Sequence, residues 1–424
     1  MFNWMHGTAL ALTLGVTAMG AAEEPTAPWE EDLDAFLTVL VAEHDNPYFL
    51  TPQIEFDAAI ADYRAALSDM DRAERIAGLA RIIALVGDGH TWMPMHAMPF
   101  DGLPPGPGFR SLPVRFEWFD EGLFIVGTGQ AHAHLLGQRV EGFGDVSAED
   151  VISRVMELLP RDAVNFASEF VAEWLMQAEL LAALDLAESP DDIRLTLAGE
   201  EVSLRPLEAG IAYDWIFSGD SGYGADDWRI AAAQTPLWRE AFNGPWRVEA
   251  LEEAVYVQIT QIGDAAERSY AEMARSAVAQ ALLLDEPALV LDLRRCLGGD
   301  GSLNPGLMEA LVSVPELEGR IQVLTSRMTH SAAVMLVSDL EQQTSARFYG
   351  QPTADRPNHY GETNIFVTPN SLLPIIHASE YYQTSHADDD RRFVTPDVVI
   401  PYRFSDYVAG TDPVLARALQ DLSE

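Results

Sequence analysis

Apolar residues recur at helical spacing through the first part of the chain. One set comprises Trp29, Leu33, Phe36, Leu37, Leu40 and Val41, and a second comprises Ile76, Leu79, Ile82, Ile83 and Val86. Both sets predict amphipathic helices with one buried face. The second helix is expected to end in the segment VGDGHT, where Gly87 and Gly89 interrupt the pattern.

Strand-like runs replace this pattern between residues 111 and 207. LPVRFEWF and GLFIVGT predict strands, and IRLTLAGEEVSLRPL predicts a hairpin across a Gly-Glu turn. LLGQRVEGFGDVSAEDVISRV predicts a strand, a turn and a helix, and residues 163–187 predict a helical insertion. The region resembles a PDZ-type module, which binds extended peptides by strand addition. A plain β-rich spacer is the alternative.

From about residue 250 the pattern alternates between buried strands and amphipathic helices. AVYVQITQI, ALVLDLR, IQVLTS and ARFYG read as strands, with helical patterns at 265–283, 303–313 and 331–343 between them. Such alternation predicts an α/β layered core.

The N-terminus has the pattern of a secretory signal. Residues 8–22 are apolar or small and end in Gly-Ala-Ala, although no Lys or Arg precedes them. The run is short for a transmembrane helix. We therefore expect a signal peptide at 1–22 and an exported protein, periplasmic or extracellular.

Charge and composition narrow the function. The formal net charge of −40 argues against a nucleic-acid partner, which needs a basic face, and against docking on anionic lipid. All 26 basic residues are arginines. Because the chain has no lysine, a Ser–Lys catalytic dyad is excluded. The single cysteine, Cys296, permits no internal disulfide.

Four stretches in the α/β region carry candidate chemistry, together with VGDGHT upstream. They are LDLRRCLGGDG, TSRMTHSAAVMLVSDL, FYGQPTADRPNHYGE and DDDRRFVTPDVVIP. In the second, Ser331 stands where a strand turns into a helix, a place for a plain helix N-cap or for a nucleophile. In the first, Gly298 and Gly299 follow a buried strand, where backbone N–H groups can face a ligand.

Taken in this order, the stretches resemble the tail-specific, or C-terminal processing, serine peptidases. The absence of lysine matches the tricorn-like branch of that family, which is built around histidine with a carboxylate behind it. The resemblance implies Ser331 as nucleophile, His90 as base and Asp390 as the carboxylate that orients it. It also implies an oxyanion hole from the N–H groups of Ala332 and of Gly298 or Gly299.

Several departures leave alternatives open. Cys296 stands where the family has Asn, Gly89 where tricorn has a serine assisting the histidine, and Gln351 where Glu is common. His330 is the alternative base, and Asp388 and Asp389 compete with Asp390. The histidines of HAH (132–134) and HTWMPMH (90–96) have no carboxylate or cysteine at ligand spacing, so we expect no metal and no cofactor.

The resemblance implies an α/β fold, with a ClpP/crotonase-like peptidase core, an N-terminal helical region and a PDZ-like β-rich module. The expected domains are a signal peptide (1–22), the helical region carrying the catalytic His (23–99), a linker (100–110), the PDZ-like module with a helical insertion (111–210) and the α/β protease core (211–424). Since His90 lies outside the core, a chain starting near residue 105 is expected to fold but to be inactive.

The implied function is that of an exported serine peptidase acting on a peptide or protein through an acyl-enzyme. The rival hypothesis is a catalytically weak or inactive peptide-binding protein of the same fold. A crotonase-type acyl-CoA enzyme ranks third, because an acidic chain without lysine suits CoA phosphates poorly. The sequence leaves open the natural substrate, the cleavage preference and whether the chain forms a homo-oligomer.

Overall fold

The computed structural model describes residues 25–95, 106–207 and 228–424. The expected signal peptide, most of the expected linker, His96 and the boundary near residue 210 lie outside the described residues. Within the described part of the chain, no helix is both long enough and apolar enough to cross a membrane.

Three helices open the described chain. The two apolar sets predicted α1 (Ala27–Glu43) and α3 (Arg72–Ile83), and α2 (Gln53–Ala66) lies between them. Helix α3 begins with a capping box. The Asp71 side chain accepts a hydrogen bond from the Glu74 N–H, and the Glu74 carboxylate accepts one from the Asp71 N–H. After α3 the chain turns at Gly87, whose φ of +96° is a conformation that favours glycine. The residues after this turn, 88–91, lead into the contact with the C-terminal half that is described below.

The next region forms an antiparallel sheet with helices between its strands. Its strands are β1 (Val114–Phe119), β2 (Gly122–Thr128), β3 (Arg139–Phe143), β4 (Val146–Ser147), β5 (Ile193–Leu197), β6 (Glu200–Leu204) and β7 (Arg229–Ile230). Its helices are α4 (Ala148–Met156), α5 (Val164–Trp174) and α6 (Ala178–Ala183). The order is β1-β2-β3-β5-β6, with β4 on β3 and β7 on β2.

The predicted hairpin forms between β5 and β6, but its turn was placed one residue too late. Ala198 and Gly199 make the turn, with φ of +46° and +82°, while Glu200 already pairs with Leu197. Two positive φ values fit the twist that a two-residue hairpin requires. The sequence pattern did not show that Ala198, rather than a second glycine, adopts one of them.

A parallel sheet and a long hairpin make up the C-terminal half. The strands are β8 (Trp246–Ala250), β9 (Val255–Ile259), β10 (Leu289–Asp292), β11 (Ile321–Thr325), β12 (Arg347–Gly350), β13 (His359–Val367), β14 (Pro374–Tyr382) and β15 (Val398–Val399). The helices are α7 (Tyr270–Ala281), α8 (Asn304–Val312), α9 (Ala332–Gln343), α10 (Phe404–Ala409) and α11 (Pro413–Ser423). The six-stranded sheet runs β15-β12-β11-β10-β9-β8, and only β8 pairs antiparallel. The predicted α/β alternation is confirmed.

The hairpin of β13 and β14 connects the C-terminal half to the N-terminal helices. Strand β14 pairs with the segment after His90, because the N–H groups of Trp92 and Ile376 each donate to the other's carbonyl, at 3.0 and 2.9 Å. The Ala378 N–H also donates to the Thr91 hydroxyl, at 3.1 Å. This hairpin was not predicted, and it places His359, its first residue, beside the His90 segment.

The N-terminal helices and the antiparallel sheet share one hydrophobic core. A single cluster of buried side chains runs from Trp29 through Leu79 to Leu195, and it includes Ile375 of β14. A second cluster fills one face of the parallel sheet, beneath α7, α8 and α9. The expectation that a chain starting near residue 105 folds is therefore revised, because such a chain would expose the apolar surface that α1 to α3 cover.

Candidate active site

The turn that carries Ser331 is tied to the segment after the neighbouring strand. Strand β11 ends at Thr325 and α9 begins at Ala332. Between them, the Ser326 hydroxyl donates to the Arg294 carbonyl at 2.6 Å, and the Thr329 hydroxyl donates to the Leu293 carbonyl at 2.9 Å. The His330 N–H donates to the Cys296 carbonyl at 3.0 Å. These bonds fix the serine against the glycine segment 298–299.

The backbone of Ser331 is not that of a plain helix cap. Its φ of +54° and ψ of −128° lie in a region that residues with a side chain rarely adopt, and its side chain makes no capping hydrogen bond. A capping serine has an extended backbone and accepts a bond from the next turn of the helix. The interpretation of Ser331 as an N-cap therefore does not hold. Strain of this kind clusters at functional sites.

Gly298 approaches the serine so closely that no other residue fits. A Cβ built on Gly298 would lie 2.6 Å from Ser331 Cβ and 3.0 Å from the Ala332 nitrogen, and its φ is +101°. Within the described part of the chain, the N–H groups of Gly299 and Ala332 donate no hydrogen bond. The N–H of Gly298 instead faces the Cys296 thiol. Two free donors beside the serine are thus available for an anion.

His90 lies near the Ser331 turn, although it belongs to the N-terminal helical region. Its N–H donates to Asp88 Oδ1 at 2.8 Å, and Asp88 Oδ2 lies 3.1 Å from His44 Nε2. Asp88 and His90 are both buried. The Asp88 carboxylate thus fixes the turn after α3 and, with it, the position of the His90 ring.

Four rings, that of His90 among them, stack in a column. The Phe166 ring of α5 lies over His330, with centroids 3.9 Å apart, and His330 lies over His90 at 4.3 Å. The His359 ring lies nearly parallel to the His90 ring, with centroids 5.6 Å apart and an interplanar angle of 9°. The column joins the helical insertion, the nucleophile turn, the segment after α3 and the β13–β14 hairpin.

The environment of His90 favours its neutral form. His90 is 3% exposed, and neither ring nitrogen makes a well-aligned hydrogen bond to a described residue, the Ser331 hydroxyl included. A weak contact with the Tyr360 backbone acts on the pKa of the ring in the upward direction, but it is the smallest of the influences. Burial, followed by the neighbouring His330 and His359 rings, lowers the pKa of His90 well below its usual 6.5. Burial also lowers the pKa of His330, although Asp355 opposes that effect. Both rings are therefore unprotonated at neutral pH.

Asp355 is the central acidic group of the site, and sequence reasoning missed it. Its Oδ2 accepts the Ser331 N–H at 3.0 Å and lies 3.0 Å from His330 Nε2, where the alignment falls short of a hydrogen bond. One of its oxygens lies within 4.8 Å of ring nitrogens of His90 and His359. The only signal was its place in FYGQPTADRPNHYGE, a stretch that also contains His359.

Gly89 makes room for this carboxylate. A Cβ on Gly89 would lie 2.3 Å from Asp355 Oδ1 and 3.1 Å from His330 Nε2. The serine that tricorn has at this position would collide with Asp355 here. The glycine and the buried aspartate are therefore linked features of the same site.

Asp390 lies at the surface, and the structure does not bring it together with His90. Asp162 chiefly, and Asp390 more weakly, raise the pKa of the Arg356 guanidinium, so Asp390 lies on the Arg356 side of the site. Its neighbour Asp389 is bound by Arg391 through contacts of 2.8 to 3.2 Å. The assignment of Asp390 as the orienting carboxylate stays a prediction, and Asp355 is a second candidate.

Two other departures from the family pattern have structural explanations. Cys296 is fully buried, and burial raises the pKa of its thiol to about 12, against a smaller effect of the Gly298 and Ile262 N–H groups. Gln351 binds Thr325 through its backbone, its N–H donating to the Thr325 carbonyl at 3.0 Å and its carbonyl accepting the Thr325 hydroxyl at 2.7 Å. Neither residue presents a reactive side chain to the serine.

The fold of the chain is similar to that of mature CPAF. The crystal structure of mature CPAF matches with a TM-score of 0.61 and 11% identity, over 93% of this chain and 96% of that chain. Mature CPAF complexed with lactacystin matches with a TM-score of 0.61 and 12% identity, over 93% of this chain and 98% of that chain. The chain thus has the fold of a tail-specific serine peptidase, as its motifs predicted.

Tricorn protease also aligns, with a TM-score of 0.40 and 14% identity, over 93% of this chain and 37% of that chain. No protein-family model and no curated protein sequence matches the chain.

Proposed function

We propose that this chain is a serine peptidase that hydrolyses peptide bonds through an acyl-enzyme on Ser331. The observation that carries the proposal is the conformation of Ser331. Its backbone has a φ of +54° beside Gly298, and its hydroxyl makes no capping hydrogen bond to the helix. The fold similarity supports the same reaction. We also propose export, on the strength of the N-terminal signal pattern, and peptide binding by the PDZ-like region.

In the proposed mechanism His90 takes the proton of the Ser331 hydroxyl as the hydroxyl oxygen attacks the scissile carbonyl carbon. Neutral imidazole is the form that accepts a proton, and burial keeps His90 in that form. The same ring then returns the proton to the leaving amine, and water hydrolyses the acyl-enzyme. A change of side-chain orientation must first bring a His90 nitrogen to the hydroxyl, since catalytic bonds often form only in the substrate complex.

The negative charge on the carbonyl oxygen would be bound by backbone N–H groups. We assign this oxyanion hole to Ala332, at the first turn of α9, and to the Gly298–Gly299 segment, with Gly299 the freer donor. Removing one such donor costs about 100- to 1000-fold in rate. The carboxylate that stabilises the His90 imidazolium is Asp390, on the family pattern, or Asp355, which is closer to the ring in this structure.

A specific observation favours the rival, a peptide-binding protein without activity. His90 makes no hydrogen bond to Ser331, and Asp390 is exposed rather than packed behind the histidine. If these side chains keep these positions when a peptide binds, the serine would remain unactivated. The two hypotheses differ in one result, which is turnover of a peptide.

The test is hydrolysis of a mixed peptide library by the full chain, by four site variants and by one control variant. We expect Ser331→Ala and His90→Gln to lower the rate by about 10⁴-fold or more, because triad members act as a unit. The orienting carboxylate is whichever of Asp355→Asn and Asp390→Asn loses the most rate. His377→Gln is the matched control, since His377 is equally buried but lies outside the site. Turnover that survives in Ser331→Ala would contradict the proposal.

A further inference from the structure

Three buried side chains of the site form a set of metal-binding groups. His90, Asp355 and His359 each offer one ligand atom, and these atoms all lie within 4.8 Å of one another. They come from the segment after α3, the loop after β12 and the start of β13. Sequence spacing did not reveal the set, because His90 lies far from Asp355 and His359 in the chain and only the fold brings it beside them.

We propose that His90, Asp355 and His359 bind a divalent transition-metal ion, with Zn²⁺ the best match. Two imidazoles and one carboxylate suit zinc, whereas calcium and magnesium prefer oxygen ligands alone. Three protein ligands leave a fourth tetrahedral position for water.

The unsatisfied nitrogens of His90 are the second observation that points to a ligand. Both ring nitrogens are buried and neither has a well-aligned hydrogen-bond partner among the described residues, although the Tyr360 backbone lies near the ring. His330 Nε2, 3.0 Å from Asp355 Oδ2, is also poorly aligned with its neighbour. A buried polar atom without a good partner destabilises the folded protein, and a bound ligand removes that penalty. A metal ion would satisfy one His90 nitrogen directly and would neutralise the charge of the Asp355 carboxylate.

The surroundings of His359 already orient it as a ligand. Its Nδ1 lies 3.1 Å from the Arg356 carbonyl oxygen, so the Nδ1–H donates there and Nε2 keeps a free lone pair. Metal-bound histidines usually donate their other N–H to a backbone carbonyl or a carboxylate in this way. The hydrogen bond thus selects the tautomer that binds metal.

The site has room and an entrance. Tetrahedral zinc at about 2.0 to 2.2 Å from each ligand needs donor atoms about 3.3 to 3.6 Å apart. The three ligand atoms must therefore close in by about 1 Å, which rotation of the Asp355 and His359 side chains can supply. A cavity of about 180 Å³, lined by Gly89, Asp355 and His359 among others, adjoins the cluster and provides the path for the ion.

The consequence for activity rests on the proposed peptidase function. A metal on His90 would occupy the lone pair that takes the Ser331 proton. It would also draw Asp355 away from the Ser331 N–H. Bound zinc would therefore inhibit the peptidase, and a chelator would restore it, so the metal-free form is the active one.

The binding test uses Co²⁺ added to the full chain, because tetrahedral cobalt absorbs visible light strongly and is displaced by Zn²⁺. Octahedral cobalt held weakly by the acidic surface absorbs far less. We expect one tetrahedral site in the wild type and in Ser331→Ala. His359→Gln and Asp355→Asn should weaken it by about 100-fold or more, since even outer partners are worth about 10- to 100-fold. His377→Gln, a buried histidine 3.5 Å from Glu43, should bind as the wild type does.

The outcomes separate the metal site from the peptidase. No tetrahedral spectrum in the folded wild type, or a spectrum unchanged in His359→Gln and Asp355→Asn, overturns the metal site even if the enzyme is active. A site present on a chain that hydrolyses nothing with chelator supports the metal site and contradicts only the peptidase. Tetrahedral binding without zinc inhibition of an active enzyme overturns the inhibitory role. Thermal melts identify any variant that fails to fold. If His359→Gln does not fold, loss of cobalt binding in the isosteric Asp355→Asn decides whether the metal site exists.

Discussion

At the scale of single residues, the environment of His90 decides how the site responds to pH. The ring lies next to the rings of His330 and His359 and close to the Asp355 carboxylate, while Asp88 binds the His90 backbone N–H. Burial is the largest influence on its pKa, followed by the two neighbouring histidines, and all three act downward. A base with a low pKa stays available as the solution becomes mildly acidic.

The first prediction is a pH–rate profile for the chelated enzyme. Since the pKa of His90 lies well below 6.5, kcat/KM should be level from about pH 6.5 upward and should fall only below it. A limb centred at or above that value would show that His90 is not the base or is more exposed than the structure shows.

The same shift predicts loss of stability in acid. In the unfolded chain a histidine binds a proton near pH 6.5, while folded His90 binds one only at lower pH. As pH falls below about 6.5, the unfolded state therefore gains protons first, and stability drops by up to about 1.4 kcal/mol per pH unit for this group. The free energy of unfolding, measured with urea, should decrease less on acidification in His90→Gln than in the wild type or in Ser331→Ala. Equal slopes would contradict the assigned shift.

Cys296 is predicted to be chemically silent. Burial raises the pKa of its thiol to about 12, so the thiolate that alkylating agents need is scarce at neutral pH. Iodoacetamide should leave the native enzyme fully active and should label Cys296 only after unfolding. Rapid inhibition that Cys296→Ser removes would show that the thiol is exposed and takes part in the reaction.

At the scale of elements, the turn between β11 and α9 depends on the glycine beside it. In Gly298→Ala the new methyl group would lie 2.6 Å from Ser331 Cβ, so the nucleophile must move. We expect the peptidase rate to fall by about 100-fold or more, comparable to the loss of an oxyanion donor.

The matched control is Gly244→Ala. Gly244 has nearly the same φ, +98° against +101°, but nothing lies within 4 Å of its built Cβ. That variant should lose about 1 to 2 kcal/mol of stability from backbone strain and keep its rate. Similar rates for the two variants would mean that close packing on Ser331 is unimportant.

Periodicity predicted elements well where each is a local pattern. Helices α1 and α3, the longer strands of the antiparallel sheet, strands β9 to β12 and the α/β alternation all follow from runs of apolar residues. The β13–β14 hairpin was not predicted because its strands mix polar and apolar residues, as in HYGETNIFV, where four of nine positions are exposed. The hairpin is held instead by the pairing of β13 with β14 and by the bridge between β14 and Trp92, and neither contact leaves a local sequence pattern.

Only those residues of the site that belong to the ordered motifs could be predicted from the sequence. That order put His90 and Ser331 in one site although they belong to different parts of the chain, and both lie there in the structure. Asp355, His359 and the stacking ring of Phe166 were missed. Nothing in a local pattern distinguishes a buried aspartate that binds a distant backbone N–H from one in a solvated loop.

At the scale of the whole molecule, the N-terminal helices are part of the core as well as part of the site. Helices α1 to α3 and the antiparallel sheet bury their apolar faces in one cluster. A chain that starts near residue 105 should therefore fail to unfold cooperatively, and adding residues 25–95 as a separate chain should restore some structure. A sharp thermal transition in the short chain alone would contradict the shared core.

The central claim is that Ser331 is an activated nucleophile, and covalent labelling tests it most directly. The full chain, treated with chelator, is exposed to a fluorophosphonate probe, and the modified residue is mapped by mass spectrometry. We predict a single label on Ser331, absent in Ser331→Ala, slowed in His90→Gln and unchanged in His377→Gln. No label, or a label at another serine in the folded wild-type protein, would contradict the account.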